Sequence, residues 1–247
     1  MTRADALPAL PVRIRRKAFR SSDGTEVPVL RDVAFELAAH QFTCLVGPSG
    51  CGKTTTLRIL LGLDTDYEGE IDPAFATCRI AAVFQEPRLL PWRTVEQNIR
   101  LALPEELRHR SLDRLLADVG LAEMNDRFPS ELSLGMARRV ALARAFAVDP
   151  DILILDEPFV SLDETTAVRL RRLLIDLWRS NPVTVLMVTH NIREAVVLAD
   201  RIVIMSQRPA HVLGTSEIAL PRAERSVDEV ETLGRRLAGR FPEIVTM

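Results

Sequence analysis

The segment Gly47-Pro-Ser-Gly-Cys-Gly-Lys-Thr54 is the strongest indication of fold class in this 247-residue chain. It matches the pattern Gly-x4-Gly-Lys-[Ser/Thr], in which a glycine-rich loop surrounds the phosphates of a nucleotide. The apolar run 43–46 precedes it as a short buried strand, and Leu57, Leu60 and Leu61 follow at helical spacing. Glycines let backbone N–H groups approach phosphate oxygens, and the N-terminus of a helix attracts anions. The order strand, loop, helix therefore predicts a phosphate-binding site.

Two side chains of this loop supply chemistry that its glycines cannot. Lys53 provides a positive charge for the β- and γ-phosphates, and the hydroxyl of Thr54 is a ligand for Mg²⁺. The alternative interpretation is an ordinary glycine-rich turn between a strand and a helix. Because the complete pattern occurs in the strand–helix context that it requires, we favour the phosphate loop.

A pair of carboxylates follows a second buried strand. Asp156 and Glu157 come directly after the continuous apolar run Ile152–Leu155, which is typical of a parallel strand buried on both faces. Ligands of α/β folds bind at the carboxyl ends of such strands. We expect Asp156 to hold Mg²⁺ through water and Glu157 to polarise an attacking water. A solvated acidic loop is the alternative.

Strands and helices alternate along much of the chain. Val183–Val188 is a further apolar run of strand length, and residues 90–148 read as a helical insert. Three helix starts are predicted from capping patterns: Thr94 with Gln97, Ser161 with Glu164, and Asn191 with Glu194. This alternation predicts an α/β fold with a mostly parallel sheet.

The domain organisation predicted from the sequence is simple. Residues 1–11 contain two prolines and no periodic pattern, which indicates a loose leader. Residues 12–247 are then expected to form a single domain, which a length near 250 residues allows.

Composition excludes several classes of protein. The chain has 34 acidic and 32 basic residues and a net charge of −2, so it lacks the basic footprint of a nucleic-acid-binding protein. Three cysteines are too few for a disulfide framework and indicate a reducing compartment. No stretch reaches the 18 or so apolar residues that a membrane helix needs, and the first 20 residues lack the apolar core of a signal peptide.

Six segments in fixed order resemble the ATP-binding subunits of ATP-binding cassette (ABC) transporters. Walker A alone is shared by many nucleotidases, whereas the signature together with the D-loop and the switch histidine is specific. The segments are Walker A (47–55), the Q-loop glutamine Gln85, the signature Leu132–Met136, Walker B (Ile152–Glu157), the D-loop Ser161–Asp163 and the switch histidine His190.

The resemblance implies a P-loop NTPase core with an N-terminal antiparallel β subdomain and a helical insert subdomain. It also implies that two copies bind ATP at their interface, with Ser133, Gly135 and Asp163 acting across it. Catalytic roles fall to Glu157, His190, Gln85 and Lys53, and Mg²⁺ ligands to Thr54, Gln85 and Asp156. The nucleotide-binding residues implied are Gly47, Pro48, Ser49, Gly50, Cys51, Gly52, Lys53, Thr54, Thr55, Phe19, Ser133, Gly135 and Asp163.

Phe19 and two departures from the family pattern leave alternatives open. Phe19 lies where the family stacks an aromatic ring on adenine, but it could also pack in the first sheet. Leu134 replaces the first signature glycine, while the second, Gly135, remains. His40-Gln41 replaces the usual Gly-Glu before the Walker A strand, at a turn to which no mechanism is attached.

The run Phe84-Gln-Glu-Pro-Arg-Leu-Leu-Pro-Trp-Arg-Thr-Val95 resembles the ATPase subunits of nitrate, sulfonate and taurine importers. The implied partners are a membrane permease, a second ATP-binding subunit, most simply an identical copy, and indirectly a solute-binding protein. Nucleic acid is not expected as a partner. The implied location is peripheral, at the cytoplasmic face of the cell membrane. Two alternatives are a soluble ABC-type ATPase uncoupled from transport and an ATP-gated module that hydrolyses nothing.

Overall fold

The computed structural model describes residues 8–242. The first predicted feature, the leader 1–11, lies largely outside the described residues, and the first strand already begins at Leu10. In chain order the elements are β1 (Leu10–Arg20), β2 (Glu26–Leu37), β3 (Phe42–Val46), α1 (Lys53–Leu60), β4 (Glu68–Ile71), α2 (Ala74–Thr77), β5 (Ile80–Val83), α3 (Val95–Arg100), α4 (Asp113–Asp118), α5 (Leu134–Ala147), β6 (Ile152–Asp156), α6 (Glu164–Ser180), β7 (Thr184–Thr189), α7 (Ile192–Leu198), β8 (Arg201–Met205), β9 (Val212–Glu217) and α8 (Val227–Arg240).

The chain divides into two compact units. Of the described residues, the first unit contains 8–77 and 184–242, and the second contains Cys78–Val183. The first unit therefore carries the phosphate loop and His190. The second carries the acidic pair, the signature and the D-loop.

The first unit contains an antiparallel sheet and a group of parallel strands. The antiparallel sheet has the order β2-β1-β4, and Leu10, Val12 and Ile14 alternate into its buried face. In the other group, β3 is paired in parallel with β7 on one side and with β8 on the other, while β9 joins β8 antiparallel. Every residue of β3 and β7 is buried, as expected of central parallel strands.

The second unit combines two parallel strands with helices. β5 pairs with β6, and every residue of β6 is buried. Between these strands in the sequence lie α3, α4 and α5, joined by longer connections that include short 3-10 helices at Glu105–Leu107 and Pro129–Glu131. The amphipathic helix α6 buries Ala167, Leu170, Leu174 and Leu177. Parallel strands alternating with helices, together with the antiparallel sheet, confirm the predicted α/β fold class.

Two of the three predicted helix starts have different outcomes. The capping box of Thr94 and Gln97 at α3 is present in both directions. The start predicted at Ser161 is wrong, because Asp163 caps α6 by accepting a hydrogen bond from the N–H of Thr166. Ser161 has a left-handed backbone with φ +62°, whereas an N-cap residue needs an extended one, which Asp163 has.

None of the helices within residues 8–242 combines the length and the apolar character needed to cross a bilayer.

Candidate nucleotide-binding and hydrolysis site

The phosphate loop is shaped by glycines that no other residue could replace without strain. Gly50 and Gly52 have φ values of +75° and +122°, which side-chain-bearing residues rarely adopt. A Cβ atom at Gly52 would lie 2.6 Å from Leu30 and 3.0 Å from Val29 of β2. The loop therefore runs close against β2 at Gly52.

Lys53 is the buried cation of the loop. Its Nζ donates hydrogen bonds to the carbonyl oxygens of Gly47 (2.8 Å) and Pro48 (3.0 Å), and the residue is only 4% exposed. These bonds hold the ammonium inside the curve of the loop. Because a buried ammonium is costly to desolvate, an anionic ligand at this point would gain strongly from it.

Helix α1 begins at Lys53 with its N-terminus open to a ligand. Its N-cap is Gly52, no side chain of the described residues caps it, and its first turn has no acidic residue. The amides of this turn are therefore suited to an anion. Among the predicted contact residues, Ser49, Gly50 and Thr54 are exposed.

Three other predicted loop residues are less open. Pro48 and Thr55 are half-buried, and Cys51 is buried at 2% exposure. Burial raises the pKa of the Cys51 thiol, which therefore stays protonated at neutral pH. Cys51 is thus suited to contact a nucleotide through its backbone rather than its sulfur.

His190 lies at the same sheet edge as the phosphate loop. Val46, the last residue of β3, pairs in parallel with Thr189, the last residue of β7, so Gly47 and His190 follow neighbouring strand ends. His190 is exposed. The turn beside it is fixed, since Thr189 donates to Glu194 (2.7 Å) and Asn191 caps α7. The structure therefore brings the predicted switch histidine and the phosphate loop to one edge.

Phe19 is exposed at the end of β1 rather than packed within the sheet. Its ring is 44% exposed and borders a cleft of about 440 Å³ that Tyr67 and Glu68 also line. The Nζ of Lys17 lies 4.7 Å from the ring centroid, and Lys17 itself is buried and paired with Asp64 at 2.8 Å. An exposed ring beside a cleft suits stacking on a base more than it suits a core role.

His40 also has a clear backbone role. It has φ +56° at the turn before β3, and its N–H donates to the hydroxyl of Thr184 (3.1 Å). Glycine, which the family usually has at this position, adopts the left-handed conformation without strain.

In the second unit, the acidic pair and Gln85 follow neighbouring strand ends. Val83 of β5 pairs with Leu155 of β6, so Gln85 and Asp156 leave the same edge. Asp156 is 7% exposed, Glu157 is half-buried and Gln85 is exposed. Glu157 has φ +45°, a left-handed conformation that is uncommon for glutamate. Such conformations cluster at active sites and ligand-binding turns.

The signature residues form the start of α5. Ser133 is its N-cap and accepts a hydrogen bond from the N–H of Met136 (3.3 Å). Leu134 is 44% exposed, so its bulk projects into solvent rather than into the helix packing. A Cβ at Gly135 would lie 2.8 Å from Cγ2 of Thr166, because α5 and α6 approach each other closely here.

Asp163 is the residue that starts α6. Its carboxylate accepts from the N–H of Thr166 (3.0 Å), and hydrogen bonding to Thr166 lowers the pKa of Asp163. Its ionised state therefore persists well below neutral pH. Thr166 thus contacts both the D-loop aspartate and the signature glycine.

A prediction follows from the contact between Gly135 and Thr166. Gly135→Ala would push a methyl group into Thr166, and we expect it to lower the free energy of unfolding by about 1–3 kcal/mol, as overpacking does. Urea denaturation measures this loss. The control is Gly135→Ala combined with Thr166→Ser, which removes the clashing methyl and should regain most of the stability. Equal stability of the parent and the single variant would contradict the close packing.

Two polar side chains that the sequence analysis did not single out fix the segment after Gln85. Asn98, 1% exposed, accepts from the N–H of Leu90 (2.7 Å) and donates to the carbonyls of Leu90 (3.2 Å) and Arg93 (3.0 Å). Arg144 donates to the carbonyls of Pro87 and Arg88 at 2.7 and 2.9 Å. These partners are backbone groups, which leave no signal in the sequence.

The fixed segment presents an aromatic side chain to solvent. Trp92 is 68% exposed, so it does not pack inside the helical region. An exposed tryptophan on a rigid segment is a typical contact residue of a protein–protein interface.

The fold and the phosphate loop define a nucleotide-binding cassette. The family model for ABC transporters matches residues 30–160, more than half of the chain. SsuB of Bacillus subtilis, an aliphatic sulfonates import ATP-binding protein, is 38% identical over 242 residues, which cover 94% of each chain. SsuB 1 of Pseudomonas aeruginosa, with the same description, is 44% identical over 225 residues, 85% of this chain and 89% of the relative.

Solved structures agree with these relatives. A dimeric bacterial ABC transporter cassette is similar with a TM-score of 0.72 and 28% identity, over 86% of this chain and all of the other. The same cassette with ADP and phosphate after hydrolysis gives a TM-score of 0.71. The chain belongs to the ABC transporter family. Within that family it is an ATP-binding subunit and an ATPase, as predicted from the sequence.

Proposed function

We propose that this chain hydrolyses ATP to power an importer of aliphatic sulfonates. The observation that carries the substrate class is the identity of 38–44% to sulfonate-import ATP-binding proteins over 85–94% of the chain. The function in the names of these relatives is extended to this chain because the similarity covers most of it. The nitrate and taurine importers suggested by the sequence motif remain candidates that the experiment below separates.

Binding of ATP is proposed to rest on the first unit. The phosphates would be held by the amides at the start of α1 and by Lys53, whose ammonium is already buried inside the loop. Phe19 would stack on the adenine, which its exposed ring allows. His190 would donate a hydrogen bond to the γ-phosphate from the strand end next to the loop.

Mg²⁺ is proposed to accompany ATP, held by the Thr54 hydroxyl, the Gln85 amide oxygen and Asp156. This set of oxygen donors suits the ion, and both Thr54 and Gln85 are exposed. The ion would supply neutralisation of the phosphate charge. The carboxylate of Glu157 would orient a water molecule and accept its proton during attack on the γ-phosphate.

A second copy of the chain is proposed to complete the site. Ser133, Gly135 and Asp163 would act toward ATP held by the other copy. The dimeric state of the similar cassette supports this arrangement. The dimer would close when it binds ATP and open after hydrolysis, and these movements would change the conformation of the permease.

The permease is proposed to bind the segment 88–92. Its support is the exposure of Trp92 and the backbone anchors from Asn98 and Arg144. The chain would thus lie peripherally at the cytoplasmic face of the membrane, and a solute-binding protein would deliver the sulfonate on the opposite side.

Growth on defined sulfur sources tests this function. Deleting the gene for this chain should abolish growth on an alkanesulfonate as sole sulfur source and leave growth on sulfate unchanged. The intact gene should restore growth, and a Glu157→Gln copy should not. Taurine is itself an alkanesulfonate, so loss of growth only with taurine would restrict the solute to aminoalkanesulfonates, whereas loss only with nitrate as nitrogen source would overturn the sulfonate assignment. Unchanged growth on all of them would overturn import of these anions.

A further inference from the structure

Arg138 of α5 is a buried cation outside the motifs named so far. It is 4% exposed, and it lies on the helix that begins with the signature. Its guanidinium donates through Nη1 to the carbonyl of Pro158 and through Nη2 to the carbonyl of Val160. One side chain therefore binds two carbonyls of the loop between β6 and α6.

The backbone of that loop has two residues in an uncommon conformation, and its own hydrogen bonds are long: Val160 N–H to the carbonyl of Glu157 at 3.3 Å and Leu162 N–H to that of Phe159 at 3.4 Å. Glu157 and Ser161 both have left-handed φ values, +45° and +62°, although neither is glycine. Such residues persist only where the surrounding structure imposes the conformation. The two carbonyls bound by Arg138 lie between these two residues, so its hydrogen bonds act on the strained stretch itself.

Arginine is chemically suited to this task. Its planar guanidinium presents several N–H donors in a fixed geometry and stays charged when buried, so it can bind two carbonyls at once. A residue needed only to fill space would be apolar, since burying a charge is costly. Phe159, between the two bound residues, is itself buried and fills the apolar space of the loop.

We propose that Arg138 is a positioning residue for ATP hydrolysis. By tying α5 to the carbonyls of Pro158 and Val160, it holds the left-handed turn that aims the carboxylate of Glu157. The proposal rests on the proposed role of Glu157 as the group that activates water. It predicts that loss of Arg138 slows the chemical step while leaving the affinity for ATP intact.

The test measures kcat, KM for ATP and thermal stability of the full chain with three substitutions. The amide of Arg138→Gln can bind one carbonyl. Arg138→Lys keeps the positive charge but lacks the planar guanidinium that binds two carbonyls at once. Arg139→Gln is the matched control, because Arg139 is half-buried on the same helix but donates to the carbonyl of Val119 at 3.3 Å. We expect Arg138→Gln to lower kcat at least tenfold with KM within twofold, Arg138→Lys to fall between it and the parent, and Arg139→Gln to keep kcat.

Every other outcome overturns the assignment. A kcat within twofold of the parent in Arg138→Gln would show that the turn is held without Arg138. Loss of folding in both Arg138 variants, under conditions where Arg139→Gln stays folded, would assign Arg138 to stability alone. Glu157→Gln measured alongside separates the two hypotheses. If it loses turnover while Arg138→Gln does not, only the positioning role fails; if it keeps turnover, the role proposed for Glu157 fails.

Discussion

Glu157→Gln is expected to bind ATP normally and to hydrolyse it about 100-fold more slowly, or slower still, than the parent chain. The substitution keeps the size of the side chain and its hydrogen-bonding ability but removes the negative charge that attracts a proton from water. A general base contributes about 10²–10⁴-fold to rate. Release of phosphate in the steady state measures the loss.

The same variant should trap the closed dimer. With hydrolysis blocked, ATP would remain held between Lys53 of one copy and Ser133 of the other. Sedimentation should show a dimer with ATP and a monomer without it. The binding residues are untouched, so the affinity for ATP should match that of the parent.

A matched carboxylate distinguishes the role of Glu157 from a general effect of charge. Glu164 begins α6, its side chain is 80% exposed, and it pairs with Arg171. Glu164→Gln removes the same charge seven positions away and should leave turnover unchanged. If Glu157→Gln hydrolysed ATP at the parental rate, another residue would have to serve as the base.

Lys53→Ala is expected to weaken ATP binding by about 10- to 100-fold. A hydrogen bond to a charged group contributes about 1.5–3 kcal/mol, and this substitution removes the ammonium from the loop that would surround the phosphates. Titration calorimetry with ATP measures the change. The variant should also stay monomeric with ATP at concentrations that drive Glu157→Gln into dimers.

The control for Lys53→Ala lies on the same helix. Arg58 is exposed in the last turn of α1, so Arg58→Ala removes one positive charge away from the loop. It should bind ATP as the parent does. Equal losses in the two variants would mean that net charge, rather than the ammonium inside the loop, determines affinity.

Features set by short stretches of chain were predictable from the sequence. The capping box of Thr94 and Gln97 depends on hydrogen bonds between residues three positions apart. Spacing therefore encodes them directly. Spacing alone did not separate Ser161 from Asp163 as the cap of α6. Asp163 accepts a hydrogen bond from the N–H of Thr166, three positions later, and it has the extended backbone that an N-cap requires.

Contacts between distant residues left no such pattern. Gly52 is constrained by Leu30 and Val29, more than 20 positions earlier, and Gly135 by Thr166, 31 positions later. The sequence indicated these glycines through the motifs that contain them. It did not reveal which side chains would meet an added Cβ, since that depends on how strands and helices pack.

A phosphate-binding loop on an α/β scaffold was predictable from the linear chain, because glycine spacing, buried apolar runs and the order of the motifs are properties of the sequence. The polar side chains that hold the functional loops became known from the packing of distant residues. Arg138, Arg144 and Asn98 bind backbone carbonyls, and those of Pro158 and Val160 lie 20 and 22 positions from Arg138. Every residue carries the same backbone carbonyl, so the sequence pattern does not indicate which carbonyl a side chain will bind. That depends on which segments lie close together in the folded chain.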